Sequence, residues 1–257
     1  MKNNLKIKNT IQIIFLGLWL VLLLYVAQVK MGTCHQFCPY AVICFGGMTP
    51  NGYFAYLPMI IIGLLISFSV IFWGRMFCGY ACFIGTLQEY IYKLNKSKDK
   101  FSQRIPYKFH RYLLGLKYII FLITLFAAYF GVQYLYMRFC PVLALAHPQR
   151  IGFAAAVTLV IIFVGGFFIE RFWCRYLCPY SALMNIFQLF GKLLRIKRKM
   201  IFRNIETSIN CFNCANYCPM NIDIGYNEEI SDKNCIHCFR CVRICSKEDP
   251  KKCIYRD

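Results

Sequence analysis

Four stretches of the chain are apolar without interruption by charge: Asn9 to Val29, Asn51 to Gly74, Tyr118 to Met137 and Ile151 to Ile169. Each is long enough for a helix to cross a hydrocarbon core of roughly 30 Å, so the pattern predicts four transmembrane helices. The first follows Lys2, Lys6 and Lys8, as a signal peptide would. Its apolar run exceeds a signal h-region and no A-x-A-like site follows, so it is expected to be a retained anchor. After the fourth run, Tyr180 to Phe190 continues as an apolar helix-like stretch that meets Lys192, Arg195, Lys197, Arg198, Lys199 and Arg203. That is the pattern of an interfacial segment whose basic residues meet anionic headgroups. From residue 204 onward the apolar periodicity is gone.

Composition supports the membrane reading and charge orients it. The chain of 257 residues is 59% hydrophobic and 16% charged, which is not a soluble composition. Its formal net charge of +19 would point a soluble chain toward nucleic acid. Here the cations have a topological explanation. They crowd the N-terminus, the loop from Arg75 to Arg111 and the segment after the fourth run, while the two remaining loops hold only Lys30, Arg138 and Arg150. The positive-inside bias then puts the N-terminus and the C-terminal segment in the cytoplasm, in a multi-pass protein of the inner membrane.

The chain repeats itself. Arg75-Met-Phe-Cys78-Gly-Tyr80-Ala-Cys82 returns as Arg171-Phe-Trp-Cys174-Arg-Tyr176-Leu-Cys178-Pro179, and Phe37-Cys38-Pro39 returns as Phe139-Cys140-Pro141. Each half reads as helix, outer Cys-Pro, helix, inner CxxxC, so the expected fold is a four-helix duplicated hairpin. On a continuous helix the i, i+4 spacing sets both thiols of a motif on one face. Four converging thiols could hold an iron–sulfur cluster or a soft metal, or cycle to disulfides. The plainer alternative is that small Cys side chains let helices pack closely. For Arg75 and Arg171, headgroup anchoring is favoured over offsetting thiolate charge.

Residues 204–257 hold Cys211-x2-Cys214-x3-Cys218-Pro219 and Cys235-x2-Cys238-x2-Cys241-x3-Cys245. This is bacterial two-cluster ferredoxin spacing, in which the fourth Cys of each run crosses to the other cluster. Cys235, Cys238 and Cys241 with Cys218 are expected to hold one [4Fe-4S] cluster. Cys211, Cys214 and Cys245 would hold a second, but Ser208 stands where its fourth ligand belongs. Cys253 is the preferred substitute, against a Ser208 hydroxyl ligand or an open iron. Zinc is the bland alternative for paired CxxC motifs, and the closely nested thiolates argue against it. The expected architecture is therefore an all-α membrane domain (1–190), a basic linker (191–203) and a small cytoplasmic α+β ferredoxin-like module (204–257).

Cys34, Cys38, Cys44 and Cys140 are expected on or near the outer face, with His35, His147, Met31 and Met48 in the same loops. Cu(I) binding, another redox centre and disulfides are the alternatives there. None of the four His falls in an uncharged run, so no intramembrane bis-His haem site is available. No nucleotide-binding motif is present.

With these residues in place the chain resembles the NapH/FixG-type polytopic membrane 4Fe-4S ferredoxins, a family that extends to NosR-related electron-transfer proteins. The carriers are Phe-Cys38-Pro39, Cys78-Gly-Tyr-Ala-Cys82 with Gly-Thr-Leu-Gln-Glu89, Glu170-Arg-Phe-Trp-Cys174-Arg-Tyr-Leu-Cys178-Pro179, and Cys218-Pro-Met-Asn-Ile-Asp223. The resemblance implies electron transfer between the quinone pool, or a membrane partner, and redox proteins at the membrane. The chain would be a subunit of an oxidoreductase system rather than a stand-alone enzyme. Rival readings are a copper reductase or assembly factor for a respiratory enzyme, and a membrane redox sensor. Three departures stand out. Phe83 occupies the place of the Pro after the first inner motif, Ser208 replaces a cluster Cys, and Ser246 replaces the Pro after the last.

Overall fold

The computed structural model describes residues 2–29, 39, 40, 43, 50–95, 107–132, 136, 138–146, 152–196, 201–204, 213–222, 224, 228–248 and 254–256. Two long helices come first, α1 (Lys2–Val29) and α2 (Pro50–Trp73), followed by the short α3 (Met76–Tyr80) and α4 (Phe83–Leu94). The second half runs α5 (Tyr107–Tyr129), α6 (Pro141–Ala146), α7 (Phe153–Phe168), a π-helical turn (Trp173–Leu177) and α8 (Pro179–Leu193). The C-terminal part contains β1 (Ile201–Arg203), α9 (Asn213–Asn216), β2 (Glu229–Ile230), α10 (Arg240–Glu248) and β3 (Ile254–Arg256).

Each of the four expected runs overlaps a helix, the third only as far as Tyr129. Among the described residues, one segment, Phe109–Tyr129, is both long and apolar enough to cross a membrane, and Ile7–Leu22, Ile60–Trp73 and Phe153–Phe168 are shorter apolar helices. The third helix corrects the sequence reading. It starts at Tyr107, not at Tyr118, because Lys117 is no boundary: its ammonium is buried and donates to the Asn234 side chain at 2.6 Å. Large apolar side chains such as Leu65, Ile123, Phe126 and Val160 point outward. An outer surface of that kind suits hydrocarbon better than water.

The contacts of the two halves follow one scheme. Helix α4, which follows the first inner motif, packs on α7 of the second half, and α8, which follows the second motif, packs on α2 of the first. Helix α1 covers α3 and α4, as α5 covers the π turn and α8. Helix α8 is thus a core helix and not an interfacial one: Tyr180, Ala182, Leu183 and Met184 are buried, and only its far end, at Leu189, Phe190 and Leu193, is exposed.

The C-terminal module is a three-stranded antiparallel sheet in the order β2-β1-β3, with Ile201 opposite Ile230 and Arg256. Strand β1 lies within the segment read as linker. Ile201, Met220, Ile222, Ile224, Ile230, Ile236 and Ile254 are all buried, and they belong to the same apolar cluster as Val70, Phe121 and Tyr180 of the helical part. The module is therefore packed onto the helices rather than tethered to them.

Candidate functional site

The inner motifs are not continuous helices. In each, the first thiol lies in a short helical turn, and the second lies in extended backbone and caps the next helix. Cys82 has φ −70° and ψ 117°, and Cys178 has φ −68° and ψ 113°. Extended backbone is what a residue before Pro179 must adopt, because the pyrrolidine ring excludes the α region. Cys82 takes the same conformation before Phe83. The departure at Phe83 leaves the backbone unchanged.

Arg75 and Arg171 are fully buried, which overturns their reading as headgroup anchors. Each crosses to the other half. The Arg171 guanidinium donates to the Cys78 carbonyl and, at 2.8 Å, to Glu89 Oε2 on α4. Arg75 donates to the Ser181 hydroxyl at 2.6 Å and lies 3.4 Å from the Asn185 amide on α8. Counted from the motif, Gly85 corresponds to Ser181 and Glu89 to Asn185. A Cβ on Gly85 would stand 2.9 Å from the Arg171 guanidinium, so Gly85 lets that side chain pass to the carboxylate.

These crossings bring Cys78, Cys82, Cys174 and Cys178 together. Cys82 and Cys174 are hydrogen-bonded; the bond pulls the Cys82 thiol down to about 6, while the same bond and burial push Cys174 up. Ionising one of the two disfavours ionising the other, so the titration belongs to the pair. Burial pushes Cys178 up to about 12, and proximity to Cys78 and Cys82 adds to it. The Cys78 sulfur is also 3.5 Å from the Met184 sulfur. Beside this group lies an apolar cavity of about 190 Å³, lined by Cys82, Cys174, Cys178 and a wall of aromatic rings including Trp19, Phe83 and Tyr180. Cys140, expected apart on the outer face, lines the same cavity.

The second set of thiols is in the C-terminal module. Cys218, Cys235, Cys238 and Cys241 line one pocket with Met220, Ile222, Ile236 and Phe239. Burial pushes Cys218 up to about 11 and Cys235 up to about 12, and the thiols raise one another further. Cys214 and Cys245 are buried in the same core, and Cys245 is disulfide-bonded. Cys34, Cys38, Cys44, Ser208, Cys211 and Cys253 lie outside the described residues.

Both sets suit an anionic cluster. Among the described residues no three His, Cys, Asp or Glu side chains converge as ligands of a single metal ion. The charge around the inner set points the same way. Arg75, Arg171 and Arg175 are fully buried beside it, with Glu89 and Glu170 as the buried acids. Buried cations in excess of acids are costly until an anion joins them.

Glu89 is the hub that sequence reasoning missed. It accepts from Lys8 at 2.9 Å, Gln12 at 3.1 Å, Arg171 at 2.8 Å and Arg240 at 2.9 Å. Burial opposes its ionisation, but Arg171, Arg240 and Lys8 outweigh it and hold the carboxyl far below the usual carboxylate range. Arg240 belongs to the module, next to Cys241, and its fork also grips Glu170 at 2.6 and 2.8 Å. A second contact sits on the other half: the Asn185 amide is satisfied with its oxygen toward Lys117 and Tyr118 and its nitrogen toward the Lys233 carbonyl at 2.7 Å. Between them the loop joining Cys235 and Cys238 lies on the first inner motif. A Cβ on Gly79 would stand 2.5 Å from the Ile236 carbonyl oxygen, and the Tyr80 hydroxyl is 3.4 Å from the His237 carbonyl.

Comparison with known proteins places this geometry. A family described as "4Fe-4S binding domain" matches twice, at residues 54–102 and 151–198, the segments that carry the two inner motifs. A protein of Methanocaldococcus jannaschii is 31% identical over 179 residues, 68% of this chain and 70% of its own length. The chain belongs to this 4Fe-4S-binding, electron-transfer family. YccM of Escherichia coli is 29% identical over 71% of the chain and 52% of its own length. Ferredoxin-type protein NapH of Haemophilus influenzae is 27% identical over 75% of the chain and 67% of its own. No solved structure gives a significant match.

Proposed function

We propose that this protein is a membrane-bound electron carrier of four transmembrane helices, built as a duplicated hairpin, with its N-terminus and C-terminal module in the cytoplasm. Its electrons pass between the quinone pool, or a membrane partner, and redox proteins. Cys218, Cys235, Cys238 and Cys241 hold one [4Fe-4S] cluster, and Cys211, Cys214 and Cys245 with Cys253 hold a second, once the disulfide that Cys245 makes in the structure is reduced to its thiolate. Cys78, Cys82, Cys174 and Cys178 hold a further one. Clusters in these places supply one-electron chemistry; the chain fixes their spacing and tunes them through burial, charge and hydrogen bonds.

The observation that carries this reading is the seating of the Cys235–Cys238 loop on Gly79 and Tyr80, between Cys78 and Cys82. Two thiol sets that meet through adjoining backbone are placed for short-range transfer. A packing role for the inner thiols leaves the excess of buried cations unexplained. The test is iron and acid-labile sulfide quantitation, with EPR, on anaerobically purified protein in detergent. Three clusters correspond to about twelve irons per chain. Cys78→Ala and Cys174→Ala each remove about four of them while the module's signals remain. Full iron in both variants rules the inner cluster out.

A copper-reducing role is the second reading, and the Cys78–Met184 sulfur pair favours it, since soft thiolate and thioether ligands select Cu(I). It requires that Cu(II) oxidise the reduced clusters and that Met184→Leu slow that reaction. Copper-independent oxidation kinetics exclude it.

A further inference from the structure

A cleft of about 470 Å³ lies on the seam between α5 and the C-terminal module. Helix α5 lines it with Arg111, Gly115, Lys117 and Tyr118, and the module with Asp232 and Lys233. Its charge is one-sided. Three cations stand against Asp232, whose carboxylate already accepts from the Asn234 backbone N–H at 2.6 Å. Lys117 is fully buried in the cleft wall, and its partners are the neutral side chains of Asn234, at 2.6 Å, and Asn185. The ion pairs among the described residues end on Glu89 or Glu170, and none includes Lys117. The Lys117 and Lys233 ammoniums also approach one ring, that of Tyr118, at 5.4 and 5.2 Å from its centre. A buried cation answered by no acid, with a second cation close by, favours an anionic occupant.

The level of the cleft points to the source of that anion. The apolar segment of α5 begins at Phe109, and the cleft begins one residue later, at His110. Phe109 and Tyr112 are 58% and 82% exposed there, and outward aromatic rings at the start of a span mark the membrane–water interface. Arg111 and Lys233 are exposed on the same cleft, while Leu114, Met220 and Ile222 give it apolar surface. Cations beside apolar surface at this level match an anionic phospholipid, and basic pockets at the cytoplasmic ends of membrane helices take such headgroups. Gly115 supplies the room: a Cβ added to it meets nothing within 4 Å.

We propose that this cleft binds the phosphate headgroup of an anionic phospholipid, with Arg111 and Lys233 as its donors and Lys117 as a buried countercharge. Arg111 belongs to α5 and Lys233 to the module, so a headgroup held by both pins the module to the helical domain. The lipid as source rests on the membrane reading above; the excess of cations in the cleft does not.

The test is native mass spectrometry of the full-length, anaerobically purified protein in neutral detergent, titrated with anionic phosphatidylglycerol or zwitterionic phosphatidylcholine. The wild type should hold phosphatidylglycerol about tenfold more tightly than phosphatidylcholine, and the double variant Arg111→Ala, Lys233→Ala should lose that preference. Lys117→Met keeps the stem, removes the charge and should weaken phosphatidylglycerol alone. Gly115→Leu fills the cleft and replaces a poor helix former by a good one, so it should melt no lower than the wild type without lipid, yet lose the bound phosphatidylglycerol. Equal affinity of the wild type for the two lipids overturns the proposal, as does undiminished phosphatidylglycerol binding in Gly115→Leu. Should Gly115→Leu fail to fold, the double variant, whose two side chains are exposed, decides: an unchanged preference there overturns the proposal equally. Inorganic phosphate that displaces phosphatidylglycerol at equal concentration overturns the lipid as the source. A protein that stays monodisperse without detergent overturns the membrane reading itself, whatever the variants bind.

Discussion

The two inner motifs share a backbone and differ in what they offer the module. Cys82 and Cys178 have the same dihedral angles within a few degrees, and the helix after each packs against the opposite half. The positions after the first thiol differ most. Gly79 clears space for the Ile236 carbonyl, and its counterpart Arg175 carries a buried guanidinium without a hydrogen-bond partner. Tyr80 reaches the module's His237 carbonyl, while Tyr176 pairs with His110 inside the helical domain. Glu89 collects four cations, including the module's Arg240, and its counterpart Asn185, itself uncharged, contacts Lys117, Tyr118 and the Lys233 carbonyl. The shared backbone gathers four thiols. The differences turn a nearly two-fold scaffold into a one-way seat for a single asymmetric module.

The largest test of this contrast is to neutralise its acidic side. Glu89→Gln keeps the shape and leaves Lys8, Arg171 and Arg240 without their common anion; breaking buried ion pairs in this way costs about 3–5 kcal/mol. Thermal unfolding in detergent should show that loss, whereas Asn185→Ala, which removes hydrogen bonds of an uncharged amide and breaks no ion pair, should cost clearly less. Equal losses would mean that the two sides do the same job. The acid side also has a pH signature. Because the folded Glu89 pKa lies far below the ordinary value of about 4.3, its contribution is complete above that value and is lost as pH falls toward the folded one. The stability gap between wild type and Glu89→Gln should therefore be constant from pH 7 to about 5 and shrink below about 4. A gap that closes between pH 6 and 5 would contradict the charge network.

A smaller effect is expected from Gly79→Ala. Its Cβ would press on the Ile236 carbonyl, a backbone atom that cannot rotate away, so the module must shift. Overpacking of this kind costs about 1–3 kcal/mol. Amide hydrogen exchange should rise at Cys235–Phe239 while α2 and α7 stay protected. Unchanged exchange in that loop would show that the module does not rest on the first motif.

Much of this site was legible in the chain. The two thiol sets, the repeat that relates the inner motifs and the four helix centres follow from spacing and apolar runs alone. The misread cations have one cause. A sequence window treats every Lys or Arg as a wish for water, and so cut the third helix at Lys117 and sent Arg75 and Arg171 to the headgroups. Their partners lie 117, 106 and 93 residues away in sequence, beyond any window. A signal was present: Glu89 is one of only eleven acids in the chain, and it stands in the stretch that follows Cys82. The helical reading of CxxxC failed for a different reason. Only the second motif carries the Pro179 that forces a break; the first has the same break without it, where α3 and α4 pack under α1.

The smallest predicted effect bears most directly on that last point. If Cys82 is held extended by tertiary packing, position 83 is already arranged as the first residue of a helix, where Pro fits without strain. Phe83→Pro then gains about 0.4–1 kcal/mol from the stiffer unfolded chain. Against this, the Phe83 ring sits 6.3 Å from the Trp19 ring in the wall of the thiol-lined cavity, and losing such an aromatic pair costs about 0.5–1.5 kcal/mol. The terms nearly cancel, so the melting temperature should hardly move and the inner iron should be retained. Phe83→Ala loses the ring without the chain stiffening and should be the less stable of the two. The reverse order would mean that Pro strains position 83, and that the two inner motifs do not share one backbone after all.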